Sequence, residues 1–170
     1  MNIYRRGVTL IEVVIYLALF GLLIGGAVVA AFNVLESASR GQTKAMLQEE
    51  GGYLQKKIEW TLSGARTVSI PSIGSLGETL SVTKWDVSIG NPVAISLVGT
   101  DVRMSKRGGA WATLNNSNVL VSGLLFSRTK QSGVGTNPER IEFSFSVSAR
   151  APNGMMVAQF FPTTTIVVRQ

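Results

Sequence analysis

"RRGVTLIEVVIYLALFGLLIGGAVVAAF", Arg5 to Phe32, decides how the rest of the chain is read. Two arginines and a glycine lead into apolar sequence, and a carboxylate, Glu12, stands inside it. From Val13 to Phe32 twenty residues carry no charge. As an α-helix at ~1.5 Å per residue they cover about 30 Å, the hydrocarbon thickness of a bilayer. Glu36 is the first charge on the far side. The positive-inside rule predicts a cytoplasmic N-terminus and a chain outside the membrane beyond Glu36. A secretory signal peptide cut within "ESAS" (Glu36 to Ser39) would share the basic flank. The apolar run is too long for a typical h-region, however, and Glu12 sits at its start.

An ionised carboxylate at the centre of a membrane helix costs roughly 2.5–3.5 kcal/mol, and less near the end where Glu12 lies. Glu12 can reach back to the headgroups, or it can meet a cation. Arg5 and Arg6 are one source of that cation. A free α-amino group is another, if the chain is cut between Gly7 and Val8.

"RRG-VTLIE" followed by an unbroken apolar helix, Arg5 to Leu35, resembles the N-terminus of type IV prepilins. In that family a short basic leader and a glycine precede a T-L-I-E motif. The resemblance implies leader cleavage after Gly7 by a prepilin peptidase and N-methylation of Val8. Glu12 would then form an assembly salt bridge with the terminal amine of a neighbouring subunit. It further implies other pilin or pseudopilin subunits as partners, an inner-membrane assembly platform, and the lipid bilayer as host before assembly. Val8 stands where phenylalanine is usual, and the anchor lacks the proline of many major pilins.

Within the span, Gly21 and Gly25 form a G-x-x-x-G, and Gly26 with Ala30 repeats the spacing. Each pair places two small residues on one face, where a second helix can approach closely. Past the span, Leu47, Leu54, Ile58, Leu62 and Ala65 recur at helical spacing, with charges on the other faces. A helix continued from Val8 to Gly64 would be on the order of 85 Å long. Gly41 and Gly51-Gly52 each weaken it by roughly 1 kcal/mol relative to alanine, which predicts a bend or break near them.

Beyond residue 66 short β-type runs alternate with turn residues: 79–89, 93–98, 102–106, 110–114 and 119–127. The clearest is "RIEFSFSVSARA" (140–151), where Ile141, Phe143, Phe145, Val147 and Ala149 alternate with polar residues. Asn153-Gly154 then predicts a hairpin turn, with return strands "MMVAQF" and "TTTIVVR" split by Pro162. The stretches 69–78 and 129–139 read as loops. The fold class expected is α+β, pilin-like: a long N-terminal helix packed on one C-terminal antiparallel sheet. The segments are a leader (1–7), a transmembrane and assembly helix (8–35), an amphipathic helical half (36–66) and a sheet domain (67–170).

No cysteine and no histidine occur, which removes disulfides, thiol chemistry, the commonest general base and the commonest metal ligand. The ten acidic residues are scattered, with Glu49-Glu50 diverging on a helix and Asp86 and Asp101 isolated. No catalytic residue, cofactor or metal ligand is expected. Formal net charge is +6, and +4 remains once the first seven residues are removed. That is ordinary surface charge with a weak pointer to DNA or anionic lipid. "KRGGAW" (Lys106 to Trp111) is the stretch that could grip a nucleic acid through Lys106, Arg107 and Trp111. Its plainer reading is a β-turn with solvated ends and the tryptophan in the core.

The function expected is a structural subunit of a type IV pilus-like filament, held first in the cell membrane and then in a pilus or envelope filament. The missing anchor proline, the missing cysteines and a closing "FFPTTTIVVRQ" similar to minor pilins and type II secretion pseudopilins favour a minor subunit. The alternatives are a competence-type minor pilin that binds DNA, and a single-span membrane-anchored binding domain that never polymerises.

Overall fold

The structure, a computed structural model, describes residues 9–130 and 138–168. The leader, Arg5, Arg6, Gly7, Val8 and most of the 129–139 loop lie outside the described residues. The chain divides into two compact units, residues 1–40 and 41–170. One helix, α1 (Leu10–Leu62), runs from the first into the second.

In the first unit the helix is apolar on every side from Val13 to Phe32. Its large side chains are exposed, among them Leu17, Phe20, Leu23 and Phe32 at 61–69%. Its most apolar 18-residue stretch has a mean hydropathy of 2.6, and none of it is buried. A helix that is hydrophobic all round belongs in lipid or in a bundle of other helices.

In the second unit α1 turns Thr43, Leu47, Gly51, Leu54, Ile58, Thr61 and Leu62 inward, the face expected from the leucine spacing. The expected break at Gly41 and Gly51-Gly52 is absent, and the helix is continuous through all three. Burying Leu47, Leu54, Ile58 and Leu62 contributes roughly 6–12 kcal/mol gross, against about 3 kcal/mol for three helical glycines. Tertiary packing wins over local propensity. The helix ends at Leu62, short of residue 66, because Ser63 and Gly64 turn the chain, with Gly64 at φ +67°.

Among the described residues nine strands follow: β1 (Ala65–Ile70), β2 (Leu76–Gly77), β3 (Thr79–Lys84), β4 (Val93–Val98), β5 (Asp101–Lys106), β6 (Ala112–Thr113), β7 (Leu120–Lys130), β8 (Glu139–Arg150) and β9 (Met156–Val168). They form two antiparallel sheets instead of the single one expected, in the orders β1-β3-β4-β5-β6 and β2-β7-β8-β9. The predicted 79–89 strand stops at Lys84, since Asp86 caps a 3₁₀ turn over Val87–Ile89 by accepting a hydrogen bond from the Ser88 N–H at 2.9 Å. The inner faces of both sheets and the buried helix face share one core, from Leu80, Val82 and Ile95 to Phe126, Phe143 and Phe145.

β8 alternates as predicted, with Ile141, Phe143, Phe145, Val147 and Ala149 all at 2% exposure or less. The Asn153-Gly154 turn joins it to β9: Gly154 takes φ +83° and the Ala151 N–H donates to the Met155 carbonyl at 2.8 Å. β9 is not split at Pro162. It runs past the proline on the sheet edge, where the missing N–H breaks no ladder bond, and a register shift opposite Phe143–Phe145 accommodates the ring.

Candidate functional site

Glu12 lies in the first turn of α1. Thr9 precedes that turn, and its hydroxyl accepts from the Glu12 N–H at 3.4 Å. Thr9-x-x-Glu12 is thus the spacing of a capping box, which starts the helix at Leu10. The Glu12 carboxylate does not fold back on Thr9; its Oε1 accepts from the Tyr16 hydroxyl at 3.1 Å, one turn on. The positive end of the helix dipole favours an anion here, so local structure already lowers the cost of this carboxylate. Tyr16 is a partner that the sequence reading missed, although its i+4 spacing was visible. The expected cationic partner, whether Arg5, Arg6 or an amine on Val8, lies outside the described residues.

Gly21, Gly25, Gly26 and Ala30 all sit on the exposed apolar stretch. A methyl group added at any of the three glycines meets nothing within 4 Å. Their small size is therefore not required by any contact within the described chain.

The "KRGGAW" stretch forms a tight turn after β5. Arg107 takes φ +58° and Gly108 +66°, and the Gly109 N–H donates to the Lys106 carbonyl at 2.9 Å. The Arg107 N–H reaches the Pro92 carbonyl at 3.0 Å, and the Arg107 side chain lies over Gly90. Trp111 is 48% exposed beside the two-residue β6, so its expected place in the core is corrected: at the sheet edge no layer covers it. The ring that Lys106 faces is Trp60, not Trp111.

Trp60 is the focus of a cation cluster. The ammonium groups of Lys84, Lys57 and Lys106 lie 3.8, 5.3 and 5.3 Å from its ring centroid. Lys84 is almost fully buried and donates to the Trp60 carbonyl at 2.6 Å, near the negative end of α1. Burial, then the neighbouring Lys106 charge, lowers the Lys84 pKa from its ordinary value. Close by, the Arg66 guanidinium sits 5.1 Å from the Trp85 ring. Lys57, Lys84 and Lys106 are far apart in sequence, and only the pairing of β3, β4 and β5 beside the helix brings them together.

Among the described residues no three acidic side chains converge as a metal site would need. Residues 3–28 match the family model described as the prokaryotic N-terminal methylation motif. No curated protein and no solved structure matches the chain.

Proposed function

We propose that this chain, which bears the signature of type IV pilin-like proteins at residues 3–28, is a filament subunit assembled through its N-terminal helix. It is cut after Gly7, Val8 is N-methylated, and Glu12 meets the new amine of a neighbouring subunit. One observation carries the reading: the methylation motif leads directly into a helix whose apolar surface is uncovered on every side. Within a bundle of such helices, a carboxylate and an amine held out of water attract more strongly than in solution, and each is costly if left alone. Glu12 then sets the register between subunits. Before assembly the same helix anchors the chain in the membrane, with the sheet domain outside. A minor subunit, of a pilus or of a type II secretion pseudopilus, fits the anchor without proline.

The test is the N-terminus of the protein recovered from membranes and from sheared filaments. N-methyl-Val8 is expected in both, and Glu12→Ala should keep membrane insertion and lose filament incorporation. An intact Met1, or a cut near Ser39, would instead identify an anchored domain that does not polymerise.

A second reading draws on Lys57 and Lys106, whose ammonium groups lie 5.3 Å from the Trp60 ring centroid; Lys84, buried and bonded to the Trp60 carbonyl, takes no part. Paired ammonium groups beside a partly exposed aromatic ring suit a phosphodiester backbone, as a competence-type subunit that binds DNA requires. Salt-dependent binding of DNA by the full chain tests it.

A further inference from the structure

A recess of about 330 Å³ lies between Lys57 on α1 and Lys106 at the end of β5. Its remaining lining is apolar: Met104, Ala110, Ala112 and Leu114. Met104 and Ala112 are register partners in the β5–β6 pair, so strand pairing fixes this lining. Ala110 and Ala112 contribute only methyl groups, which leaves the recess its room.

Charge beside the recess is of one sign. The Lys57 and Lys106 ammonium groups each lie 5.3 Å from the Trp60 ring centroid, and the buried Lys84 shares that ring at 3.8 Å. Among the described residues none of the three lysines forms an ion pair. The carboxylate that acts on Lys84 is Asp86, and it already accepts from the Ser88 N–H. Like charges crowded on one ring repel, and an anion held between Lys57 and Lys106 would offset that repulsion.

A simple inorganic anion would use the charge and leave the apolar lining wet. A ligand that uses both carries its charge at one end of a flat, apolar body. Lysine ammonium groups hold phosphate as point charges. A terminal phosphate carries about −1.5 to −2 at neutral pH, against the single charge of a phosphodiester link, so two converging ammonium groups favour the terminal form. The methionine sulfur and the alanine and leucine methyl groups suit the face of an aromatic base. The volume is at the small end of the roughly 300–1,000 Å³ of ligand pockets, room for one such body and not for a run of them.

We infer that this recess takes a terminal phosphate carried on a nucleotide-sized body. The phosphate lies between Lys57 and Lys106, and the flat part rests on Met104, Ala112 and Leu114. That chemistry has two sources, a free nucleoside monophosphate and the 5′ end of a single strand. For the strand, the inference rests on the DNA-binding reading and narrows it from the backbone to the strand end. For the free nucleotide it stands without that reading.

The full-length chain in nonionic detergent is titrated with short single strands of one sequence bearing a 5′-phosphate or a 5′-hydroxyl. Adenosine monophosphate, adenosine and inorganic phosphate are titrated in parallel. The monophosphate should bind about two- to tenfold more tightly than adenosine or inorganic phosphate, the range set by two exposed ion pairs. If the strand end is the source, the 5′-phosphorylated strand should exceed the hydroxyl strand by a similar factor. Lys57→Met with Lys106→Met should abolish these preferences. Ala112→Leu, which fills the recess and keeps both lysines, should remove the advantage of the monophosphate over inorganic phosphate without lowering the thermal midpoint. Monophosphate binding with no strand binding supports the recess and sinks the DNA reading. Equal binding of both strands with no monophosphate preference overturns the inference and leaves the DNA reading standing. Binding of none of these ligands removes both. Unchanged preferences in Ala112→Leu would put the ligand elsewhere and overturn the inference as well.

Discussion

The ring of Phe161 occupies the space in which Gly51 would carry a Cβ. That ring cannot simply swing away, because it stacks on Phe145 with centroids 4.9 Å apart and planes 6° from parallel. Gly51 is thus a point of close approach between the helix and the β8–β9 sheet.

Gly51→Ala should therefore destabilise the fold although alanine is the better helix former. Overpacking costs roughly 1–3 kcal/mol and the propensity gain offsets about 1 kcal/mol, so a net loss of up to about 2 kcal/mol is expected. Gly52→Ala is the control. Its added methyl meets nothing within 4 Å, and it should stabilise by about 0.5–1 kcal/mol. Denaturant unfolding of both variants checks the pair, and equal effects at the two positions would sink the argument.

Arg128 on β7 and Glu139 on β8 form a buried two-pronged pair, Nη2 to Oε1 at 2.6 Å and Nε to Oε2 at 3.1 Å. Arg128 Nη1 also donates to the Pro71 carbonyl at 3.2 Å, tying the β1–β2 connection to the sheet. Arg128→Met or Glu139→Gln alone should cost about 3–5 kcal/mol, because the remaining partner stays buried. Replacing both should cost much less than the sum of the two. A double-mutant cycle of unfolding free energies measures this, and simple additivity would refute it.

Lys84 makes stability depend on alkaline pH. Its folded pKa is lowered by burial and by Lys106, so in the window between that value and the ordinary 10.5 the unfolded chain binds more protons. The cost of burying the charge is fully present below the window and is relieved as pH rises through it. Wild type should gain stability across that window relative to Lys84→Met, and Lys106→Ala should move the onset to higher pH. Urea midpoints at stepped pH check this; parallel pH profiles for wild type and Lys84→Met would contradict it.

Gly25→Ile adds bulk to α1 where the chain itself presents no obstacle. Membrane insertion and thermal unfolding should stay unchanged, while incorporation into filaments should fall through lost close approach of helices. Normal filament yield would show that no partner packs on that stripe.

If the Trp60 cluster binds DNA, Lys57→Ala with Lys106→Ala should weaken binding for every sequence. The slope of log affinity against log salt should become shallower by about 2, one phosphate contact per lysine. An unchanged slope would remove these lysines from the contact.

Much of this fold is legible in local pattern. The Ile141 to Ala149 alternation, the Asn153-Gly154 turn and the Leu47, Leu54, Ile58 phase all report contacts along a single element, where period and burial coincide. What the pattern hides is set across elements. Gly51 reads as a weak point in a helix until Phe161 is seen to need the room. Pro162 reads as a strand end until β9 proves to be an edge. The same holds for the sites. Thr9, Glu12 and Tyr16 are neighbours in sequence and could be read together, whereas Lys84 joins Lys57 and Trp60 only through strand pairing.

The proline on β9 has a further consequence. β9 is the terminal strand of its sheet, thirteen residues long, and would otherwise offer an extended run of unpaired backbone to any other exposed edge. Pro162, which has no N–H to offer, and the register shift beside it interrupt that run at its middle. If the chain is a filament subunit, as proposed, its neighbours are thereby guarded against fusing sheet to sheet, which would leave the helix as the route by which they join.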